Sequence, residues 1–165
     1  MANPLTLVLP VENGKLLALQ QALAGSGTTI DAALAKLGTV HYARSVLIDI
    51  SSPNLAPSAG SSGPFMLMVV TEYDNPFDQY IQQFVEQIGP VFDLILPFVV
   101  GGADVVPVEQ NVVGFQQFIA QNDLSQVPLP GGFPNGALYS AYPQTVQAIL
   151  QKFPPPHTAH HAHTK

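Results

Sequence analysis

The stretch Val40-His41-Tyr42-Ala43-Arg44-Ser45-Val46-Leu47-Ile48-Asp49-Ile50 decides how the rest of the chain is read. It is rich in β-branched and aromatic residues, which suit a pleated, half-buried strand. Successive side chains of a strand point to opposite faces. Tyr42, Arg44, Val46 and Ile48 therefore share one face, and His41, Ala43, Ser45, Leu47 and Asp49 the other. The C-terminal half is apolar on both faces, which predicts an inner strand covered on both sides. Arg44 is the only arginine in the chain.

Working outward, Leu5 to Val11 predicts a first strand that ends near Pro10. Leu16, Leu19 and Leu23 then follow a helical period. Gly25-Ser26-Gly27 predicts a break, with Thr28 or Thr29 capping a second short helix that carries Ile30, Ala33, Leu34 and Leu37. Gly38 stops it. Downstream of the central stretch, Ser51 to Pro64 reads as a loop and Phe65 to Tyr73 as a second strong strand. Asn75 is the expected cap of the longest helix, with Pro76 in its first turn. Phe77, Ile81, Phe84, Ile88 and Ile95 form its apolar face, Gly89-Pro90 kinks it, and Gly101-Gly102 ends it.

Val105 to Gln110 is expected to be extended, and Asn111 to Asp123 to form a further amphipathic helix. Val127 to Pro134 is a loop, Ala137 to Tyr142 a last strand, and Thr145 to Phe153 a terminal helix. The order β-α-β, β-α-β, with an inserted helix before the last strand, predicts an α+β fold of the ferredoxin-like plan over residues 1–153. Residues 154–165 form a Pro/His-rich tail. Helices would cover one face of the sheet. The other, apolar face needs a cover, and a second copy of the chain supplies it in a dimeric α/β barrel.

Composition narrows the partners. Across 165 residues, charged side chains make up only 10 %, against roughly 25 % in an average domain. A surface so poor in charge does little to keep copies apart, which predicts a homo-oligomer. Five basic against eleven acidic residues, with no basic cluster, exclude a phosphate-binding nucleic-acid partner. No apolar run reaches the length of a membrane span, since Gly89-Pro90 and Asp93 interrupt the longest candidate. The chain has no Cys, which excludes disulfides and thiolate metal sites. Met1-Ala2-Asn3-Pro4 lacks the pattern of a secretory signal, so the default compartment is cytoplasmic.

The segments Val40 to Asp49, Thr71-Glu72-Tyr73-Asp74-Asn75-Pro76-Phe77-Asp78-Gln79-Tyr80-Ile81 and Ala137-Leu138-Tyr139-Ser140-Ala141-Tyr142-Pro143-Gln144-Thr145-Val146 resemble a group of bacterial ferredoxin-like proteins of the dimeric α/β-barrel class. That group is associated with haem-peroxidase and catalase-type systems. The resemblance runs over roughly residues 5–150 and implies the fold, with haem as a cofactor of the wider class. The Gly-x-x-Asp-Gly motif of dye-decolourising peroxidases has no counterpart here, so the resemblance does not extend to peroxidase activity.

Several residues are candidates for chemistry. His41 can act as a base or as a haem ligand, and Arg44 can hold a carboxylate bidentately. Residues three apart on a strand face opposite ways, so the two converge only if a bulge intervenes. Otherwise His41 serves a structural hydrogen bond and Arg44 pairs with Glu72 or Asp74. Tyr73, Tyr139 and Tyr142 either line a pocket and donate hydrogen bonds or simply pack. Glu72, Asp74 and Asp78 gather at the start of the long helix, where the dipole favours Asp78. In the tail, His157, His160, His161 and His163 have the ligand chemistry for a transition metal, or belong to an appendage.

No phosphate-cradling Gly motif, nucleophile elbow or zinc-protease helix occurs. Two functions are consistent with these features. One is an oligomer that binds a hydrophobic small molecule on its sheet, in haem-associated or oxidative metabolism. The other is a non-catalytic, self-assembling structural subunit of a fibre or shell.

Overall fold

Leu5, Leu7 and Leu9 alternate with Pro4, Thr6 and Val8 along the first strand, β1 (Asn3–Pro10), and the three leucines are buried. Burial of each such side chain stabilises the fold by roughly 1.5–3 kcal/mol. The computed structural model describes residues 2–132, 135, 138 and 142–154. Three strands form one antiparallel sheet in the order β1-β3-β2, with β2 spanning Val40–Asp49 and β3 spanning Phe65–Tyr73. Leu5 pairs with Thr71, Leu7 with Val69 and Leu9 with Leu67; on the other side of β3, Ala43, Ser45 and Leu47 pair with the same three residues. These rows face the helices α1 (Leu16–Leu37), α2 (Phe77–Ile95) and α3 (Val112–Asn122), whose apolar residues join them in one core. The architecture is α+β.

The opposite face carries the rows Thr6–Val70–Arg44, Val8–Met68–Val46 and Pro10–Met66–Ile48. It is apolar over most of its extent, as the alternation of β2 predicts.

The first helical layer is a single helix, not two. Leu16, Leu19, Leu23, Ser26, Ile30, Ala33 and Leu37 repeat at alternating spacings of three and four straight through Gly25–Gly27, so one face stays inward without a phase change. That continuous contact outweighs the roughly 1 kcal/mol that each interior Gly costs. Thr28 and Thr29 lie inside the helix rather than capping one. Gly38 ends it with φ of +58°, and its N–H donates to the Leu34 carbonyl.

β2 is an edge strand, and Tyr42 through Ser45 are exposed, contrary to the inner position its apolar half predicts. The following loop bonds only the end of that half. The Asp49 N–H donates to the Leu55 carbonyl at 3.0 Å and the Ile50 N–H to the Pro64 carbonyl at 3.0 Å. Asn75 takes a positive φ of 77° and Pro76 occupies the cap position of α2, so no side chain caps this helix. Ile88 breaks the helical dihedrals two residues before Pro90 lodges in the helix, which gives the expected kink. α2 ends at Ile95, earlier than Gly101. Residues 102–105 form a short 3-10 turn, and a second at 108–110 falls inside the segment Val105 to Gln110 that the sequence reads as extended.

Asn111 caps α3 by accepting the Gly114 N–H, and Thr145 caps α4 (Val146–Lys152) by accepting the Ala148 N–H. Beyond α3, the Asp123 carboxylate accepts the Thr6 N–H at 2.9 Å, and Asp123 bridges Leu7 on the outer edge of β1. The expected last strand lies almost wholly outside the described residues. Among those described, no helix is long and apolar enough to cross a membrane.

Candidate functional site

The sheet and its helices do not close completely over each other. A cavity of about 280 Å³ lies between the helix-facing rows of the sheet and α1, α2 and α3. Its walls include Leu5, Leu7, Leu67 and Val69 from the strands and Ile81, Phe84, Phe92 and Phe115 from the helices. The gap follows from side-chain size. Where α1 passes over the edge strand it presents Gly27, and β2 answers with Ala43 and Ser45. These three small residues line the seam where larger ones would have sealed it. A Cβ built on Gly27 would meet nothing within 4 Å. The exposed lining residues Asp31, Ala43, Arg44 and Ser45 mark the mouth of the cavity at this seam.

The wall is mostly hydrocarbon, with one polar point. The Thr71 and Tyr80 hydroxyls, both on buried residues, stand 3.5 Å apart. That distance is at the outer limit of a hydroxyl–hydroxyl bond, so both groups keep capacity for a third partner. Burial pushes the Tyr80 phenol above its ordinary range, which keeps it a neutral donor at physiological pH. Behind it, Tyr73 stacks on Tyr80 with ring centroids 3.8 Å apart. Burial, followed by the charges of Asp123, Asp78 and Glu72, pushes the Tyr73 phenol up to about 12. Phe84 continues the aromatic row 4.6 Å from Tyr80, and Phe92 packs 5.0 Å from Phe115. These separations suit aromatic pairs.

Of the residues singled out in the sequence, Arg44 lies at the cavity's edge between Ala43 and Ser45, but in the strand alternation it belongs to the opposite face, in the row with Thr6 and Val70. Tyr73 supports the wall through Tyr80, and Tyr142 is exposed. His41 goes elsewhere. A bulge between Val40 and Tyr42 takes it out of the strand alternation, and its Nε2 lies 3.1 Å from Asp74 Oδ1. The bulge does not bring His41 and Arg44 to a common ligand, because Asp74 engages the ring. The buried Asp74 carboxylate also accepts the Val146 N–H at 2.7 Å, which fastens the start of α4 beside β2. Among the described residues Arg44 makes no ion pair, so the expected pairing with Glu72 or Asp74 is not formed. Glu72 instead accepts the Tyr42 hydroxyl at 3.3 Å, and burial raises its carboxyl above the ordinary range.

Tyr139, His157, His160, His161 and His163 lie outside the described residues. Among the described ones, no group of three or more His, Cys, Asp or Glu side chains could hold a metal ion.

Haem does not fit this cavity. No His, Cys or Met lines it, and at roughly 30 Å³ per water-sized group it holds on the order of ten non-hydrogen atoms, far fewer than a porphyrin carries.

Tyr80, Thr71 and Asp31 were not singled out from sequence. Tyr80 falls at the apolar spacing Phe77, Tyr80, Ile81, Phe84, so a hydroxyl inside a greasy stripe was the available signal. No protein-family model, no curated protein and no solved structure matches the chain. Fold and site together define an α+β protein with an internal apolar cavity that opens at a sheet edge.

Proposed function

We propose that the protein binds an apolar small molecule of on the order of ten non-hydrogen atoms, carrying one hydrogen-bonding group, in the cavity under α1. The observation that carries this reading is the pair of buried hydroxyls, Thr71 and Tyr80, in a hydrocarbon wall. A cavity needed only for folding gains nothing from an under-bonded polar pair, because buried hydroxyls without good partners cost stability. The ligand site thus falls on the helix-facing side of the sheet. The opposite face is left for another role.

That role is homo-oligomerisation. Val8, Met66, Met68, Val70, Val46 and Ile48 share the face away from α1, α2 and α3. A second copy is the natural cover in a chain with so few charges. Strand order β1-β3-β2 and the helices after β1 and β3 match three of the four strands of the ferredoxin-like plan. This supports the dimeric α/β-barrel reading. A self-assembling structural subunit is the second reading, and the same apolar face favours it.

Thermal unfolding with increasing concentrations of a naphthol tests the ligand site. Binding to the native state raises the midpoint with concentration, and Gly27→Leu, which fills the cavity, removes the shift. No concentration-dependent shift contradicts the reading. Sedimentation separates the two assemblies: discrete dimers accompany the barrel, large regular particles the structural subunit.

A further inference from the structure

The two outer edges of the sheet are finished differently. The Val11 N–H donates to the Phe65 carbonyl and the Ile50 N–H to the Pro64 carbonyl. Carried along the strand registers, these bonds fix which backbone groups face β3. Odd-numbered residues of β1 and even-numbered residues of β2 bond β3, and the others point away from the sheet. On β1 the outward groups are met: the Thr6 N–H donates to Asp123 Oδ1, the Pro4 carbonyl accepts the Ser125 hydroxyl, and the Pro10 carbonyl accepts the Val100 N–H. Pro4 and Pro10 have no N–H to offer. On β2 the outward N–H and C=O groups of Ala43, Ser45 and Leu47 have no hydrogen-bond partner among the described residues. This opening is bounded. The bulge between Val40 and Tyr42 interrupts it on one side, and on the other the Leu55 carbonyl takes the outward Asp49 N–H.

We infer that this edge is an interface: β2 pairs antiparallel with β2 of a second copy, across a two-fold axis at Ser45, and joins the two sheets into one. The contact is distinct from the apolar sheet face and does not depend on the ligand reading. An unpaired edge is a template for another extended strand. A second copy matches this one because the opening is symmetric about its centre. With Ser45 on the axis, Ser45 faces its own counterpart and Ala43 faces the partner's Leu47, so the outward groups of all three residues bond. Neighbouring registers do worse. An axis at Arg44 sets the two guanidiniums directly opposite each other, which is unfavourable. An axis at Ala43 pushes Leu47 past the bulge, and one at Val46 sets Ala43 against Asp49, whose N–H is already taken. Arg44 is the only charged residue from Tyr42 to Ile48, and at the Ser45 axis it lies opposite the partner's Val46. The strand is already formed in each copy, so pairing orders little new chain.

The test uses the absence of cysteine from the full chain. Directly opposed residues of a hydrogen-bonded antiparallel pair have Cα atoms about 5.5 Å apart, a separation that suits a disulfide. Ser45→Cys is therefore expected to crosslink two chains on mild oxidation. Ser58→Cys, at an exposed loop position, reports random collision. The first should react at least about tenfold faster, since a formed pair holds its thiols at a high effective concentration. Ser45→Lys opposes two ammonium groups at the axis and is expected to lower the native mass in sedimentation at least twofold. Ser45 is exposed, so both variants fold, and their unfolding midpoints check this. Association through the apolar sheet face survives Ser45→Lys, so the fall in mass reads the edge contact alone. Crosslinking of Ser45→Cys no faster than that of Ser58→Cys, or an unchanged mass for Ser45→Lys, overturns the inference.

Discussion

The hydroxyls of Thr71 and Tyr80 lie 3.5 Å apart inside an otherwise apolar cavity. Each is too far from the other for a strong bond, and a ligand oxygen beside the pair, within hydrogen-bond distance of both, would satisfy both. Tyr80→Phe is therefore expected to weaken a naphthol by about tenfold, while naphthalene binds unchanged. The loss of one long hydrogen bond changes stability by no more than about 1 kcal/mol. Paired calorimetric titrations of the two compounds check the difference.

Gly27 makes the seam and costs the helix. Gly27→Ala introduces a Cβ that meets nothing within 4 Å, and is expected to raise stability by about 1 kcal/mol in urea unfolding. Gly27→Leu keeps the fold and eliminates naphthol binding. An unfolded Gly27→Leu protein would show that the seam is packed rather than open.

Asp123 holds the segment after α3 against β1. Its Oδ1 accepts the Thr6 N–H at 2.9 Å, the Ser125 N–H at 3.0 Å and the Ser125 hydroxyl at 2.7 Å, while Oδ2 is buried without a partner. Asp123→Ala strands these donors and is expected to destabilise the protein by about 2 kcal/mol or more. Asp123→Asn keeps the acceptor and should stay within about 1 kcal/mol of the parent. Chemical denaturation of both variants distinguishes the two contributions.

Glu72 makes stability depend on pH in a defined direction. Burial is the largest cause of its raised carboxyl pKa. Between its ordinary and its raised value the native state binds the proton more tightly than the unfolded chain, so its contribution falls as pH rises through that interval. Above it, the buried carboxylate persists as a penalty, with Oε2 lacking a partner. Glu72→Gln removes this dependence and keeps an acceptor for Tyr42. The stability advantage of the variant should grow from pH 4 toward neutrality, reaching on the order of 1 kcal/mol. An advantage that shrinks with pH would contradict the assignment.

The sequence disclosed the parts of the fold governed by periodicity. Alternation placed Tyr42, Arg44, Val46 and Ile48 on one face, and the β3 register keeps them there. It misread α1, because Gly25-Ser26-Gly27 looks like a breaker in isolation, while the spacing from Leu16 to Leu37 that overrides it is a long-range pattern. It placed β2 inside the sheet because apolar residues on both faces of a strand do not by themselves distinguish an inner strand from an edge strand. Arg44 was legible as a candidate, since a lone arginine stands out. The cavity was not. It is lined at its edge by Gly27, Ala43 and Ser45 from two elements, and no local window of sequence contains all three.

Asp74 joins two ends of the chain, bonding His41 on one oxygen and the Val146 N–H on the other. Asp74→Ala is expected to free α4 first, since that helix spans only seven residues and short helices depend on tertiary anchors. Hydrogen exchange should accelerate at residues 146–152 well before it changes in β1 or β3. Uniform acceleration would mean that Asp74 supports the whole core.

The most direct test of the cavity as a ligand site is amide chemical-shift mapping during a naphthol titration of the full chain. Saturable shifts at Gly27, Leu34, Ala43, Ser45, Thr71 and Tyr80, with Val8 and Met66 on the opposite side of the sheet unmoved, are the predicted result. Shifts confined to Val8, Met66 and their neighbours, or none that saturate, would contradict it.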